Sequence, residues 1–240
     1  MTRLNTTLML AATVSLSGLT QSAGAETLLF DFGHTNVQTN PGWNNVIPAT
    51  TTLFATFDST NTLTSIGFEI TDTFFQTGEP SQLGSEAPAG DAAAYPVSAT
   101  DDYFFGHTTA FAGADPNPLG QFKLFNLDPT KTYNFTFFAS RQTVTDIRDS
   151  SYDITGGNSG SGVLDASNNN TEVLKINGIV PDGNNEIYVD VTPGPNNNNA
   201  NGFFYIGLMQ VDIVPEPASL SLLGAAGLTL LGRRRSLIGR

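Results

Sequence analysis

The chain has 240 residues, with ten basic side chains against 22 acidic ones, a formal net charge of −12, seventeen phenylalanines and no cysteine. Without cysteine there are no disulfides, no thiolate chemistry and no Cys-ligated zinc. The acidic balance argues against nucleic acid or an anionic membrane surface as partner, and favours cations or polymers that use cations as bridges.

Taken from the N-terminus, Arg3 and the free amine give a positive start, Leu8 to Leu19 is mostly apolar, and Ala23-Gly24-Ala25 supplies a small-x-small cleavage pattern. Residues 1–25 therefore read as a secretory signal peptide, with the mature chain beginning at Glu26. No Arg-Arg pair precedes the apolar stretch, which favours the general export route. All 22 acids but only five bases lie between Glu26 and Glu216, a formal charge of −17. Residues 26–213 are long enough for one domain that buries a core without staples.

Within that domain the periodicity is that of strands. Thr27–Gly33, Thr52–Phe57, Leu63–Thr71, Asp102–Gly106, Gln121–Asn126, Thr132–Ser140, Ser151–Thr155, Glu172–Asn177, Glu186–Val191 and Gly202–Val214 are short, rich in β-branched and aromatic residues, and bounded by Gly, Asn, Asp or Pro. Ile66/Phe68/Ile70, Tyr133/Phe135/Phe137 and Ile187/Val189/Val191 alternate most clearly, whereas the last run is apolar on both faces and so belongs at the centre of a sheet. Ten short strands and no amphipathic helix predict an all-β, two-sheet antiparallel sandwich, a jelly roll first and an immunoglobulin-type sandwich second. Residues 76–99, 150–171 and 192–201 read as connections, and the tract Asn196–Asn199 as an exposed loop.

Past the last strand comes Val214-Pro215-Glu216-Pro217, then fourteen uncharged, largely apolar residues from Ala218 to Leu231, then Arg233-Arg234-Arg235. A short apolar segment followed by an arginine cluster reads as a membrane span with a positive-inside stop, although about 21 Å of helix falls short of a ~30 Å bilayer core. A buried C-terminal helix is the alternative. The three parts in this order resemble the PEP-CTERM sorting signal of exported bacterial proteins, and this assigns residues 214–240 to sorting. The resemblance implies recognition by an exosortase-type membrane enzyme, a transient membrane anchor, and a destination at the cell surface or in an exopolysaccharide matrix.

The residues that could carry chemistry are few. Asp31-Phe32-Gly33 lacks the companion loops of a kinase, no Gly-x-Ser-x-Gly elbow exists, and the two histidines, His34 and His107, have no partner at helical spacing. The acids of Asp101-Asp102, Asp146/Asp149/Asp153 and Asp182–Glu186 can serve a glycosidase or bind calcium, or simply form turns. For a structural Ca2+, the best local set is Asp182, Asn184 and Glu186, because Pro181-Asp182-Gly183 makes a tight turn that can aim oxygens inward. The single tryptophan, Trp43, lies in a turn-rich loop beside Asn44 and Asn45. It is expected either to stack a sugar, with the two amides bonding hydroxyls, or to cap one end of the sandwich.

Asp31-Phe32-Gly33, the Gly-Trp-Asn-Asn loop, Leu127-Asp128-Pro129 leading into Tyr133–Phe138 and Ser140-Arg141, and the closing run Tyr205–Val211 together resemble a galactose-binding-type jelly roll. That resemblance implies a non-catalytic carbohydrate-binding or matrix-associated module, with Arg141 as a ligand contact or as an ion-pair partner. Two functions follow: an exported, surface-sorted glycan-binding protein, or an exported polysaccharide hydrolase or lyase with paired carboxylates.

Overall fold

A computed structural model describes residues 26–47, 50–75 and 83–215. The expected signal peptide, and the sorting tail from Glu216 through Arg233, Arg234 and Arg235, lie outside the described residues.

The described chain is a sandwich of two sheets. One is built from β10 (Leu174–Ile179), β7 (Lys131–Phe138), β13 (Leu208–Pro215), β1 (Glu26–Phe32) and β2 (Asn44–Val46), in that order. The other runs β3 (Thr52–Leu53), β4 (Gly67–Asp72), β6 (Gly120–Phe125), β11 (Ile187–Pro193), β8 (Asp149–Thr155) and β9 (Ser159–Asp165). All pairs are antiparallel except β1 with β2. From β6 onward the chain passes repeatedly from one sheet to the other, the wrap of a jelly roll instead of a meander. A two-stranded ribbon, β5 (Phe104–Gly106) with β12 (Phe204–Ile206), closes one end.

Burial follows the alternation of the sequence. In β1, Leu28, Phe30 and Phe32 point inward and meet Phe68 of β4 and Phe122 of β6, with ring centroids 5.1 to 5.8 Å apart. Phe137 of β7 stacks on Tyr152 of β8 at 4.5 Å, joining the two sheets further along. Each such ring removes roughly 150–250 Å² from water, so a few of them supply much of the driving force for closure.

The expected final strand, Gly202–Val214, is two strands. Gly207 separates β12 from β13, and its N–H bonds to Phe138 O while its carbonyl accepts from Phe32 N. β13 is the middle strand of its sheet, as its two apolar faces predict. It runs on through Val214 and Pro215, opposite Thr132 and Lys131, and Glu26 lies beside Ile213. A proline is tolerated there because it is the last residue of the strand.

Two strands escape the sequence reading. In β9 the inward positions before Leu164 are Gly160 and Gly162, and a Cβ at either would collide with Ile176 or Leu174 of β10, at 2.6 and 2.5 Å. The missing side chains are what hide the strand. β2 is hidden because its residues are Asn44, Asn45 and Val46. The described part of the connection 76–99, expected to be patternless, contains a 3-10 turn at Gly90–Ala94 and most of the short helix α1 (Val97–Thr100). Ala92, Tyr95 and Ala99 from this stretch form a second apolar cluster with Phe138 and Leu208.

Candidate binding pocket

The ribbon that closes one end of the sandwich sorts its side chains by a period of two. Phe104, Phe204 and Ile206 turn into the core, where Phe104 meets Phe32 and Phe74 at 6.0 Å. Tyr103, Phe105, Phe203 and Tyr205 turn to the other side, where they are also buried, and line the floor of a pocket of about 330 Å³ together with Phe111, Arg141 and Arg148. Phe105 and Tyr205 are direct cross-strand partners. Phe111, the half-buried ring of the five, stands edge-on to Phe203 at 4.8 Å and is presented by a tight turn through Ala112 and Gly113, both with positive φ.

Arg148 lies over two of these rings, its guanidinium carbon 5.3 Å from the Phe203 centroid and 5.9 Å from that of Tyr205. Its Nε donates to Asp146 Oδ1 at 2.9 Å and its Nη1 donates to the Tyr205 hydroxyl. Burial raises the Tyr205 phenol above its ordinary value, so the hydroxyl keeps its proton and can donate in turn. Behind the rings, Tyr152 donates its hydroxyl to Tyr205 O at 2.7 Å and Ser150 Oγ accepts from Tyr205 N at 2.8 Å, which fixes the ribbon to β8.

The asparagine tract is a clasp around this pocket. Asn197 Nδ2 donates to Asp149 O at 2.9 Å and to Phe203 O at 2.7 Å; Asn198 Oδ1 accepts from Ile147 N at 2.7 Å. Asn199 Nδ2 donates to Asp146 Oδ2, and its Oδ1 accepts from Asn201 N at 3.0 Å. Side-chain amides that both donate and accept are suited to tying irregular loops together.

Arg141 is held by its backbone, with its N–H on Ala166 O at 2.7 Å and its carbonyl accepting from Asn168 N at 2.9 Å. Its Nη1 donates to Gln142 O, and no carboxylate lies within ion-pair range among the described residues. The ion-pair role expected as one option for it is therefore absent there. It faces the pocket instead.

Trp43, Asn44 and Asn45 are placed elsewhere. The Trp43 ring is half-buried against the second apolar cluster, edge-on to Tyr95 at 6.3 Å. Asn44 is buried, donating to Leu29 O at 3.0 Å and Phe57 O at 2.8 Å and accepting from Phe57 N at 2.8 Å. Asn45 pairs with the backbone N–H and carbonyl of Thr39, both at 2.9 Å. Amides spent on the backbone have little left for sugar hydroxyls, and the capping option describes Trp43 better than the stacking one.

Asp182, Asn184 and Glu186 do share one turn. Asp182 Oδ1 accepts from Asn184 N and Glu186 N, each at 2.9 Å, so it caps the turn. Glu186 faces Lys123 Nζ at 2.8 Å and accepts from the Tyr188 hydroxyl at 2.7 Å. The Lys123 contact holds its carboxyl below the usual range. Among the described residues, no group of three or more His, Asp or Glu has the geometry to hold a metal.

The candidate acid Asp102 faces Asp31, and both are sealed in, 1 % and 2 % exposed. Gly33 makes room for it, since a Cβ there would lie 1.7 Å from Asp102 Oδ2. That oxygen accepts from His34 N at 2.8 Å, and Asp31 Oδ2 accepts from Thr39 N at 3.2 Å. The second oxygen of each carboxyl is buried without a donor. Burial raises both groups above the usual carboxylate range, and the mutual repulsion adds to this for Asp102. A polysaccharide has no surface there on which to meet them.

No family model matches the chain, and no curated protein matches it. Among solved structures the chain is similar to TmCBM61 in complex with β-1,4-galactotriose, at 12 % identity over 48 % of this chain and 68 % of that one, with a TM-score of 0.25. It is also similar to an F5/8 type C domain of a Bacteroides fragilis protein, at 12 % identity over 48 % and 75 %, TM-score 0.27. A third is the ANXUR1 extracellular domain of Arabidopsis thaliana, at 13 % identity over 72 % and 58 %, TM-score 0.30.

Proposed function

We propose that this chain is an exported, surface-sorted protein that binds a glycan in the pocket between β5, β12 and the 141–148 segment. The observation that carries the reading is the pocket itself: five aromatic rings, two of them phenols, and two guanidinium groups converge on about 330 Å³. A pyranose has an apolar C–H face that suits a ring and hydroxyls that suit fixed donors, and small-ligand sites commonly combine the two. The pocket takes over the role first expected of the Trp43 loop. Export and sorting rest on the signal-peptide pattern of residues 1–25 and on the PEP-CTERM-like order of residues 214–240, which imply an exosortase partner and an extracellular-matrix or exopolysaccharide setting. The chain acts by binding, without catalysis.

The test is a glycan array on the exported protein, wild type against Phe111→Ala. Phe111 is half-buried at the edge of the core, so the variant is expected to fold, and its melting curve is recorded beside the array. Binding by wild type that disappears in Phe111→Ala supports the pocket; equal binding by both proteins, or none by either, overturns it.

A further inference from the structure

Between residues 26 and 216 the chain has only five basic side chains, and four of them are neutralised locally. Lys123 meets Glu69 and Glu186, Lys131 meets Glu26 and Asp128, Arg148 meets Asp146, and Lys175 meets Asp91. Arg141 is the exception among the described residues, and with the paired Arg148 it lines the aromatic pocket. A fully charged guanidinium without a carboxylate, in a domain with 22 acids to choose from, is conspicuous. Arg148 beside it brings no net charge, because Asp146 offsets it. The pocket therefore carries one uncompensated positive charge within a strongly negative domain.

We infer that the ligand of this pocket is a carboxylate-bearing saccharide, a uronate, whose carboxylate pairs with Arg141. The inference rests on the glycan-binding reading of the same pocket. Arg141 spends one N–H on Gln142 O, which leaves a fork able to hold a carboxylate through two parallel N–H···O bonds. The half-buried ring of Phe111 supplies the surface for the sugar face, and the Tyr205 hydroxyl has a proton with no acceptor among the described residues. A monoanion matches the single free charge. A dianionic phosphate would reverse it and meet the field of the surrounding acids. That same field repels a polyanion at a distance, so selectivity has to come from the short-range pair, and added salt should strengthen binding or leave it little changed.

The experiment is calorimetric titration of the full-length protein in detergent with galacturonate oligomers, with the same oligomers after carboxyl reduction, and with sulfated oligomers of equal length, all in EDTA. The acid form is expected to bind about tenfold or more tightly than the reduced form. Arg141→Gln should abolish that difference and keep the weak affinity for the reduced form, Arg141→Lys should keep part of the difference, and Phe111→Ala should lose both ligands. Equal binding of acid and reduced oligomers, both lost in Phe111→Ala, would overturn the uronate and leave the glycan pocket standing. Equal or tighter binding of the sulfated oligomers would also overturn the carboxylate. Absence of binding by any of these oligomers would overturn the uronate, and the glycan array decides whether the pocket reading stands. An Arg141→Gln protein with a lowered melting temperature and undiminished preference for the acid would make Arg141 an internal ion-pair partner and end the inference.

Discussion

Asp31 and Asp102 bury their carboxyl groups against each other, each with one oxygen that no protein donor reaches. Both are raised by burial, so the folded state binds protons more tightly than the unfolded chain, where an aspartate titrates near 3.9. Stability from these groups is complete below that value and is lost as pH rises through the raised ones. The protein is expected to melt at progressively lower temperature from about pH 5 through pH 8. Asp102→Asn keeps an oxygen for the His34 N–H and removes the charge, so it should flatten the curve and match or exceed wild type at pH 8. Melting curves across the range, wild type against variant, decide it; parallel curves would mean that the pair is not the cause.

Trp43→Ala tests the cap. The ring is half-buried on Tyr95, so its loss should cost about 2 kcal/mol, less than the ~3–5 kcal/mol of a fully buried aromatic. Denaturant unfolding measures the cost, and glycan affinity, measured well below the melting point, should be unchanged. A stable variant that no longer bound glycan would return the site to the Trp43 loop.

Asn199 links the Arg148 side, through Asp146, to the segment that leads into Phe203. Asn199→Ala leaves the partly buried Asp146 with one partner fewer and is expected to lower stability by about 1–2 kcal/mol. Because the clasp orders the pocket wall, affinity should fall with it, and Asn196→Ala, at an exposed position of the same tract, should change neither. Equal effects of the two substitutions would reduce the tract to a generic loop.

For the tail, the expected outcome is loss of residues beyond about Pro217 in a host that has the sorting enzyme. Intact mass of the exported protein reads this directly, and a product still ending in Arg240 would contradict it. Glu216→Ala with Pro217→Ala should leave the uncut chain in the membrane fraction, while Pro215, which ends β13, stays in place.

The sheets were legible wherever a strand alternates, as in Phe68/Ile70 or Val189/Val191, because one face of each is buried and the period is two. β9 was not legible because its inner face is glycine under β10, a fact about a neighbour eleven or more residues away. The pocket was hidden for a related reason. Tyr103, Phe105, Phe203 and Tyr205 look like any core alternation and are indeed buried, and only the pairing of β5 with β12 shows that this face of the ribbon floors a pocket. Trp43 stayed open between platform and cap because its local turn suggests exposure, while the ring beside it, Tyr95, comes from the stretch with no pattern. Two aromatic alternations with arginines at 141 and 148 were the signal available for the proposed pocket.

The split of the closing run at Gly207 has a mechanical consequence. β12 carries Tyr205 into the pocket, β13 follows after one residue, and Pro215 ends β13 at the far end of the sheet, about 25 Å away along eight residues. A force applied between Tyr205 and Pro215 would travel along one continuous stretch of covalent backbone. The ladders to β1 and β7 on either side lie perpendicular to that line and brace the strand without being links in it. The remainder of the sandwich is a casing around a tension member, so a load carried between these two residues need not unfold the domain.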